Sequence, residues 1–586
     1  MAMNLLRVSA SRSVRIGRSS AVHSVGQISA RRMALPRAYT TGAAQQSSAS
    51  SNSSNTPWFI GSLMVFGPIL FKLTSPPPTK KTQEKAHVEP IAMETAEPAA
   101  PATAPAPKIQ KPYVLIGAGT ASFAAAQAIK EKQPDANVII IGNEEYAPYM
   151  RPPLSKELWF SEDPEVAKTL LFKDWQGTER NTIYQDESQY EVIEDASGSD
   201  LQTSKIKLLL NKQVAKLNIE DHTVTLADGS IIYYNKVLLA TGGEPKNLPD
   251  QAGKSDKVTT FRTVEDFKKL DQIAKDGAHI AVVGGGFLGS ELAVALAKRA
   301  EKEKLTVTQV FPEEGNMANV FPSYLTKWTT SRVRKLGVNV QTDSAIKAIK
   351  TDENSKVVLD LGNDKQVTAD HVVVAVGIQP RVDLAREAGL EVDEKRAGVV
   401  VNAELEARTD VFAAGDMVSF HDVQLGRRRI EHHDHAVLSG RHAGENMVGG
   451  AKPYKHQSMS DLGPEIGYEA VGLVDAQLST VSVWAKATAQ DTPAAGAGAE
   501  AESPRGTPIA TPSAEATKTA SAGNPFKDEK FGKGLVFYVR EKQIVGLLLF
   551  NVFGKVQEAR DIIDAGYTTE QIDGLLKKFN LHDDSH

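Results

Sequence analysis

The chain has 586 residues, a formal net charge of −5 and no cysteine. Its length exceeds what one hydrophobic core supports and predicts roughly three or four domains. The first 83 residues carry ten basic residues and no acidic one, which leaves 57 basic against 72 acidic residues in the remainder. This acidic body argues against nucleic-acid binding, which depends on basic surfaces. The lack of cysteine excludes disulfides, thiolate metal sites and a redox-active pair of thiols.

Residues 1–40 have the composition of a mitochondrial transit peptide. Four arginines between residues 7 and 18 recur at roughly helical spacing among apolar residues and serines, with no acidic residue between them. The sequence Arg37-Ala38-Tyr39, followed by two threonines, is typical of a matrix-processing site. A disordered basic arm is the alternative interpretation.

A Ser/Asn/Ala-rich linker at residues 41–56 leads to an apolar segment at 57–74. Residues 58–71 contain no charge and predict a membrane anchor, although a full span needs about 20 residues. A second sorting signal is the alternative. Residues 75–110 are rich in Pro, Ala, Lys and Glu and predict a tether to the globular body.

Order is predicted from residue 111 onward, beginning with a βαβ unit. A strand at 114–116 runs into Gly117-Ala118-Gly119-Thr120-Ala121-Ser122, and a helix at 123–132 and a strand at 137–141 follow. In such a unit the glycines permit a tight turn and let a pyrophosphate approach the N-terminus of the helix. Ser122 stands at the third glycine position and is small enough for helix–strand packing.

The same pattern returns 167 residues later. A strand at 280–283 is followed by Gly284-Gly285-Gly286-Phe287-Leu288-Gly289, a helix at 290–300 and a strand at 305–311. One glycine motif is a weak signal, whereas two in this setting predict two dinucleotide-binding folds. The second fold is expected to be inserted in the first, which resumes near Asp410.

The residue after the second strand of each unit distinguishes the cofactors. Glu313 follows that strand in the later unit and is suited to a ribose 2′-hydroxyl, while Glu314 would repel a 2′-phosphate. The pair therefore favours NAD over NADP, with a solvated acidic loop as the alternative. In the first unit the equivalent place is Asn143-Glu144-Glu145.

Several later segments suit a protein that holds two dinucleotides. Apolar strands at 237–243 and 372–377 end in glycine turns, and 409–416 ends at Asp416, where a carboxylate can hold a ribityl hydroxyl. Near the C-terminus, 534–539 and 543–551 predict a hairpin around Arg540-Glu541-Lys542. The Ala/Pro/Thr/Ser/Gly-rich segment 485–524 predicts a disordered insertion.

Four stretches carry a family resemblance: residues 148–160, 284–291, 426–429 and 431–436. With them the chain resembles the apoptosis-inducing-factor flavoproteins, mitochondrial members of the glutathione-reductase-like family, from about Pro112 to the C-terminus. The resemblance implies an α/β fold with two Rossmann-like dinucleotide-binding domains, one inserted in the other, and a C-terminal α+β domain. The implied boundaries are 111–262 and 401–460 for the FAD-binding domain, 263–400 for the NAD-binding domain and 461–586 for the C-terminal domain.

The resemblance implies FAD and NAD(H) as cofactors and names the residues that contact them. The FAD set comprises Gly117, Ala118, Gly119, Thr120, Ala121, Asn143, Glu144, Arg151, Lys156, Val214, Arg262, Asp416, His432 and His433. The NAD set comprises Trp175, Gly285, Gly286, Phe287, Leu288, Glu313, Gly377, Glu431, Glu469 and Asn551. The residues implied in catalysis are Lys156, Glu291, Phe287 and His432.

The chemistry of these side chains agrees with those roles. Phe287 and His432 offer surfaces for ring stacking, and hydride transfer needs the nicotinamide about 3–3.5 Å from the flavin with water excluded. Lys156 paired with Glu291 would place a positive charge near the flavin, and a surface salt bridge is the alternative. The histidines around residue 433 lack the further ligand that a closed metal site needs, so no metal is predicted. Residues 427–429 are expected to form a solvated arginine face because acidic residues flank them, with a nucleic-acid patch as the alternative.

The sequence departs from the family at three places. Family members carry an aromatic pair between Met459 and Ser460 that reaches the active site, and this chain lacks it. Asn143 stands where the family has an acid on the FAD ribose. Glu391 and Arg408 match dimer-contact positions, but Val400 replaces an arginine there.

The resemblance implies an NADH oxidoreductase of the mitochondrial intermembrane space, anchored in the inner membrane through 57–74 and forming a homodimer on reduction. It further implies support of respiratory-chain biogenesis and a pro-apoptotic role after release to the nucleus, where the acidic body disfavours DNA binding. The alternative function is a redox-gated binding partner of the import oxidoreductase of the intermembrane space, docked on the C-terminal domain by strand addition. A ferredoxin or monodehydroascorbate reductase shares the fold but would not need the 485–524 insertion.

Overall fold

A computed structural model describes residues 111–173, 178–195, 205–249, 255–455, 467–486, 516–520, 531–552, 554–579 and 581. The predicted transit peptide, linker, anchor and tether, residues 1–110, lie outside the described residues. The same holds for the place of the missing aromatic pair, within 456–466.

The first nucleotide fold is built on a sheet that has seven strands within the described residues. Neighbouring strands run parallel except at one edge, where Glu406–Arg408 is antiparallel to Val411–Ala413. Tyr113–Ile116 and Val138–Ile141 are apolar and buried along their whole length, as expected for a parallel sheet covered on both faces. In spatial order the strands are Glu406–Arg408, Val411–Ala413, Lys236–Leu239, Tyr113–Ile116, Val138–Ile141, Ile206–Leu209 and Tyr190–Val192.

The second nucleotide fold is a sheet of five parallel strands in the described part of the chain. Its segment leaves the first fold after Lys236–Leu239 and returns before Val411–Ala413, so the predicted insertion of one fold in the other is confirmed. Gly243–Pro245 pairs antiparallel with Ile378–Pro380 where the chain passes between the folds. In spatial order the strands are Val258–Thr260, His371–Val374, His279–Val283, Thr306–Val310 and Asn339–Gln341.

The C-terminal domain is an antiparallel sheet with the helix Val556–Asp564 against it. The predicted hairpin is confirmed: Phe531–Arg540 pairs with Gln543–Phe550 across Glu541 and Lys542, which both have positive φ. In spatial order the described strands are Tyr468–Gly472, Gln543–Phe550, Phe531–Arg540, Ser479–Lys486 and Ala516–Ala520.

The low-complexity segment 485–524 is not irregular throughout. Its described residues include Ala516–Ala520, which pairs antiparallel with Ser479–Lys486 and forms an outer strand of the C-terminal sheet. Threonine occupies every second position there, at Thr517 and Thr519, and threonine suits a strand. Residues 487–515 and 521–530 lie outside the described residues, so the prediction of disorder is not tested for them.

Smaller sheets and the helices complete the described fold. The remaining strands are Leu171–Lys173, Glu179–Asn181, Val214–Asn218, Thr223–Leu226, Ile231–Tyr233, Ala348–Thr351, Val357–Gly362, Lys365–Ala369, Val399–Val400, Val418–Asp422 and Gly426–Arg428. The α-helices are Thr120–Lys132, Pro152–Ser155, Glu157–Phe160, Val166–Thr169, Val264–Ile273, Phe287–Glu303, Ser323–Lys335, Asp383–Glu387, His433–Met447, Val556–Asp564 and Ile572–Leu575.

Both motif helices begin earlier than the sequence predicts. They start at Thr120 and Phe287, three residues before the predicted starts at Phe123 and Ser290. The reason is that the second glycine of each motif is already the N-cap, so the last motif residues form the first helical turn. The amide groups of that turn are therefore part of the loop that a pyrophosphate would contact.

The helix Thr120–Lys132 is held by a second helix, His433–Met447, at glycine contacts. A Cβ on Gly440 would lie 2.2 Å from the Ala121 carbonyl oxygen, and one on Gly444 would lie 2.4 Å from that of Ala125. Both obstacles are backbone atoms, which cannot rotate away. The two helices can pack this closely because these positions carry no side chain.

We expect Gly440→Ala to lower the free energy of unfolding by about 1–3 kcal/mol, because the helices must separate to admit the methyl group. The first glycine loop should shift with Ala121 and release faster the FAD that the family resemblance implies. The matched control is Gly574→Ala, where a Cβ would meet no atom within 4 Å. Thermal unfolding and the rate of flavin loss measure both effects, and a Gly440→Ala protein as stable as the control would contradict the packing argument.

Candidate active site

The first glycine loop turns sharply under the neighbouring strand. Gly117 has a φ of +109°, and a Cβ there would lie 2.4 Å from the Ala240 carbonyl oxygen, so the position requires glycine. A Cβ on Gly119 would meet no atom within 4 Å, which leaves open space in front of the helix. The amides at this helix start have no partners further back in the helix and suit an anion.

The second glycine loop repeats this arrangement. Gly284 has a φ of +130°, and a Cβ there would lie 2.2 Å from the Ala375 carbonyl oxygen. Gly286 faces open space, as Gly119 does, and a Cβ on Gly289 would lie 2.3 Å from the Gly284 carbonyl oxygen. The third glycine thus serves close packing, and the repeat seen in the sequence extends to individual contacts.

Both glycine loops open into the same cavity, which has a volume of about 480 Å³. This is within the usual range of small-molecule and cofactor sites, about 300–1,000 Å³. Residues expected to contact FAD that line it are Gly117, Ala118, Gly119, Thr120, Ala121, Asn143, Glu144, Arg151, Arg262, Asp416, His432 and His433. From the NAD set, the cavity is lined by Gly286, Phe287, Leu288, Gly377 and Glu431.

Arg151 lines this cavity, and hydrogen bonds to neighbouring side chains fix the position of its positive charge. Its guanidinium donates to the Tyr149 hydroxyl at 2.8 Å and to Glu144 Oε1 at 3.1 Å, and Tyr149 donates to Glu144 Oε2 at 2.7 Å. Burial opposes the charge, but the neighbouring Tyr149 and Glu144 outweigh it and raise the pKa of Arg151. Both oxygens of Glu144 are engaged in this cluster, while Asn143 is exposed at the cavity wall.

A second ion pair lies beside this cluster, since Arg151 also donates to the Arg262 carbonyl at 2.8 Å. Arg262 donates to Asp416 Oδ2 at 3.1 Å, and both side chains are largely buried. Burial, reinforced by the positive charge of Arg151, lowers the pKa of Arg262. Asp416 lies in the turn Gly415–Met417, directly after a strand of the first sheet, as the sequence predicts.

Lys156 and Glu291 connect the two nucleotide folds. Lys156 Nζ lies 3.9 Å from Glu291 Oε1, and the side chains are 11% and 12% exposed. Ser155, which lines the cavity, donates to Glu291 Oε2 at 2.8 Å. The pair is therefore a buried contact behind the cavity wall, and the alternative of a surface salt bridge is wrong.

His432 and His433 lie at the start of the helix His433–Met447. His432 is the N-cap, and its Nδ1 accepts a hydrogen bond from the Asp434 amide at 3.2 Å. The ring of His433 lies 6.4 Å from that of Tyr184, whose hydroxyl is 2.9 Å from Thr120 Oγ1. Burial and the positive charge of Lys156 lower the pKa of His433 to about 4. His433 is therefore neutral at physiological pH.

Sequence reasoning missed Tyr184, Gly142 and Arg381. Tyr184 stacks on Phe123 with ring centroids 4.3 Å apart, while Gly142 and Arg381 line the cavity. A Cβ on Gly142 would lie 2.5 Å from that of Ala118. The signal for this close contact in the sequence is the glycine directly after the strand Val138–Ile141. Tyr184 and Arg381 lie in irregular segments where no repeating pattern marks them.

Some predicted contacts do not line the cavity. Val214 lies in the three-stranded sheet beside the first fold. Gly285 packs on Phe311, whose ring would be 2.7 Å from a Cβ there. Glu313 follows the strand Thr306–Val310, and its carbonyl accepts from the Asp343 amide at 3.0 Å.

The remaining NAD candidates come from the C-terminal domain. Glu469 is buried in the strand Tyr468–Gly472, and Asn551 directly follows Gln543–Phe550, with a φ of 52°. The ring of Tyr468 lies 6.3 Å from that of Phe287, so this sheet approaches the second glycine loop. Trp175 lies outside the described residues.

The arginine run at 427–429 is not a solvated face, and that prediction is wrong. Arg427 donates to the Ser419 carbonyl at 2.6 Å, and Arg428 donates to the Gly472 carbonyl at 2.7 Å. Arg429 donates to Glu431 at 2.6 Å. All three are half-buried because strand-end carbonyls and a carboxylate take up their donors.

Two kinds of feature are absent from the described part of the chain. No three or more His, Asp or Glu residues gather there in a way that could hold a metal ion. Its helices are also too short or too polar to cross a membrane. The apolar segment 57–74 falls outside this part of the chain.

Comparison with known proteins agrees with this geometry. The family model of pyridine nucleotide-disulphide oxidoreductases matches residues 111–440, which include both glycine loops. The chain belongs to this family. A second model, the C-terminal domain of mitochondrion-associated apoptosis-inducing factor, matches residues 443–565 and places the chain in that group of flavoproteins.

Individual relatives support the assignment. A putative mitochondrial apoptosis-inducing factor 1 of Drosophila melanogaster is 42% identical over 486 residues, 80% of this chain and 65% of the fly protein. The chain thus matches slightly less than two thirds of that relative. The mitochondrial apoptosis-inducing factor 1 of Dictyostelium discoideum is 38% identical over 512 residues, 86% of this chain and 85% of the relative.

A solved structure confirms the fold. A ferredoxin reductase of Rhodopseudomonas palustris superposes with a TM-score of 0.60 at 23% identity, covering 80% of this chain and 99% of the reductase. The α/β fold with two Rossmann-like domains and a C-terminal antiparallel sheet is therefore shared with this reductase.

The lowered pKa of His433 predicts a pH dependence of stability. Between about pH 4 and pH 6.5 the unfolded chain binds a proton at this residue that the folded protein does not. The stabilisation is therefore complete above pH 6.5 and is lost as the pH falls towards 4. At pH 5 the loss of stability amounts to about 2 kcal/mol relative to neutral pH.

His433→Gln should flatten this part of the stability profile, whereas His421→Gln, at an exposed position, should not. Denaturant unfolding at pH 7, 6 and 5 measures the difference. Parallel pH profiles for wild type and His433→Gln would show that His433 is not held neutral.

Proposed function

We propose that this chain is an FAD-dependent NADH oxidoreductase that passes a hydride from NADH to FAD. The observation that carries the proposal is the shared cavity, lined by Gly119 and Thr120 of the first loop and by Gly286 and Phe287 of the second. Two dinucleotides with their pyrophosphates at these loops would extend into the same space. Such proximity, with water excluded, is what hydride transfer requires.

The residues of the first fold suit FAD. At Gly117 the backbone turns close to the Ala240 carbonyl, where any side chain would collide. Arg151 and Arg262 supply positive charge for phosphates. Asp416 offers a carboxylate to hydroxyl groups at the same wall. When bound, FAD would accept the hydride and release the electrons to an acceptor. Because the chain has no cysteine, that acceptor must be external, and we propose quinone-like compounds.

Two aromatic side chains would position the reacting rings. Phe287 opens the second motif helix and is 39% exposed, and His432 is the N-cap of the helix His433–Met447, which packs on the first motif helix. Both line the cavity, so their ring faces can pack against a planar group and exclude water. We assign them to ring packing rather than to proton transfer.

The second fold favours NADH over NADPH. Glu313 follows the second strand at the place where a ribose hydroxyl is recognised. Glu314 lies next to it and pairs with Lys327 at 3.1 Å, which balances its charge but keeps the carboxylates beside the ribose position. A 2′-phosphate would meet these carboxylates and be repelled.

The names of the relatives support a mitochondrial setting. We propose that the chain faces the intermembrane space and is held at the inner membrane through residues 57–74. Redox-controlled homodimerisation, support of respiratory-chain biogenesis and a pro-apoptotic role on release are part of the same proposal.

A second candidate function is a redox-gated partner of the import oxidoreductase of the intermembrane space, in which turnover is incidental. The supporting observation is the outer strand Ala516–Ala520, which comes from the low-complexity segment and covers Ser479–Lys486. Releasing this strand would expose a sheet edge that an extended segment could join. Fast turnover with a physiological acceptor favours the enzyme, whereas NADH-dependent capture of the partner with negligible turnover favours the binding function.

Anaerobic titration of the purified protein with NADH tests the main proposal. We expect the flavin absorbance to bleach and a long-wavelength charge-transfer band to appear, with NADPH far less effective. Glu313→Ala should weaken NADH binding about tenfold, because the ribose hydroxyls lose a charged acceptor. A colourless protein that takes up no added FAD would end the proposal.

Lys156 provides a test of electrostatic control. Its ammonium lies behind the cavity wall, and we propose that it stabilises negative charge on the reduced ring. Lys156→Met should lower the flavin midpoint potential, slow flavin reduction by NADH at least about tenfold and raise the pKa of His433. Lys156→Arg keeps the charge and is the control. Equal reduction rates in the two variants would assign the pair to packing alone.

A further inference from the structure

A buried polar network lies directly behind the second glycine loop. Its members are the side chains of Ser290, Gln309 and Asn316, each 0% exposed. They belong to the motif helix, to the strand Thr306–Val310 and to the loop that carries Glu313. We call these three side chains the Asn316 network.

One amide group holds the network together. Asn316 Nδ2 donates to Ser290 Oγ and to Gln309 Oε1, both at 2.9 Å. Ser290 Oγ in turn donates to the Gly285 carbonyl at 3.2 Å, and Gln309 Nε2 donates to the Gly284 carbonyl at 2.9 Å. A single side chain therefore fixes, through two others, two successive carbonyls of the glycine loop.

The same loop segment is fixed on its other side. The Asn316 amide donates to Thr330 Oγ1 at 2.8 Å, and the Met317 amide donates to the Gly285 carbonyl at 2.8 Å. Gly315 packs so closely that a Cβ would lie 2.4 Å from Thr330 Oγ1. The loop holding Glu313 and the second glycine loop are thus tied to each other by hydrogen bonds that water does not reach.

The first nucleotide fold shows that the fold itself does not need this network. The amides of Gly117 and Gly284 donate to Ile141 and Val310 in the same way, which aligns the two units. Counting from these pairs, Ile140 occupies the place of Gln309 and Phe123 the place of Ser290. Apolar side chains therefore lie behind the glycine loop of the first fold, and hydrogen-bonded polar side chains lie behind that of the second.

The polar side chains of the second fold cost more free energy to bury than the apolar ones of the first. Burying an amide or hydroxyl costs free energy unless it is hydrogen-bonded, and Asn316 Oδ1 has no hydrogen-bond partner among the described residues. Satisfied polar networks also hold their members more rigidly than apolar contacts do. A rigid and costly arrangement beside the pyrophosphate loop points to ligand binding rather than to folding.

We propose that Asn316 is a positioning residue for the nicotinamide nucleotide. By holding the glycine loop and the Glu313 loop at one spacing, the Asn316 network lets the loop amides and the Glu313 carboxylate engage the pyrophosphate and the ribose together. The inference rests on the proposed NADH function of the second fold. It assigns the affinity for NADH partly to side chains that do not line the cavity.

The test compares Asn316→Leu, Gln309→Met and Ser290→Ala, which remove the hydrogen bonds with little change in volume. We expect the Kd for NADH, measured by anaerobic titration, to rise about tenfold in each. FAD content and kcat at saturating NADH should stay within about twofold of wild type, because the first fold and the stacking surfaces are untouched. A rise in KM without a fall in kcat separates positioning from general destabilisation. If Asn316→Leu does not fold, the other two variants, which each remove one of the two branches of the network, decide the matter.

The matched control is Thr329→Val on the neighbouring helix. Thr329 is also 0% exposed, and its hydroxyl has no hydrogen-bond partner among the described residues, so this change should leave NADH binding as it is. The double variant Ser290→Ala/Asn316→Leu should have the same Kd for NADH as Asn316→Leu alone, since both substitutions act through one chain of hydrogen bonds.

A Kd for NADH within twofold of wild type in folded Gln309→Met and Ser290→Ala would overturn the inference. Equal weakening by Thr329→Val would overturn it as well, because burial alone would then explain the effect. Failure of the wild-type protein to bind NADH at all would instead remove the proposed function.

Discussion

The structure depends on the contact between a glycine and the carbonyl of the next strand, made once in each nucleotide fold. Gly117 lies against Ala240, and Gly284 against Ala375, at separations that leave no room for a Cβ. This contact turns the chain within a few residues from a buried strand into a helix. The helix therefore begins at the sheet edge with its first amides open to the cavity, and every functional assignment follows from that placement.

Because both turns lie at the carboxyl ends of parallel strands, the arrangement of the two folds decides whether the cavity is shared. The strand pair Gly243–Pro245 and Ile378–Pro380 joins them where the chain crosses, and Lys156 with Glu291 joins them beside the cavity. A buried ion pair is weak support for stability, since desolvation offsets the attraction. The Lys156–Glu291 pair instead constrains the orientation of one fold relative to the other.

The sequence predicted the folds well because their signals are local. Buried apolar strands, glycine turns and helical periodicity occur within about thirty residues, so both units, their order and the cavity-lining glycines could be recognised. Helix starts were placed too late because a glycine N-cap has no side-chain signature. That both oxygens of Glu144 are engaged could not be predicted, because Tyr149 and Arg151 reach it across an irregular segment with no repeating pattern. The burial of Lys156 could not be predicted either, because its partner Glu291 lies in the other fold.

Residues 427–429 show the same limit from the other direction. A run of arginines in an acidic body is typical of a solvent-exposed face, yet Arg427 and Arg428 end on backbone carbonyls that only the assembled strands provide. Charge patterns in a sequence show which groups need partners and not where the partners are. For the same reason, the polar composition around Gln309 could be seen in the sequence but not interpreted there.

The two nucleotide units differ in the chemistry of their supporting residues, and under the proposed function this difference follows from what each unit does. A unit that keeps its cofactor orders its loop a single time, when the cofactor binds. Apolar packing behind that loop, as at Ile140, is therefore sufficient. A unit that exchanges its ligand at every turnover must present the same geometry when empty, because any ordering of the loop on binding would reduce affinity each time. Buried hydrogen bonds from Asn316 hold that geometry without the ligand. Two glycine loops with the same contacts would thereby suit, in the proposed function, a nucleotide that stays bound and one that is exchanged.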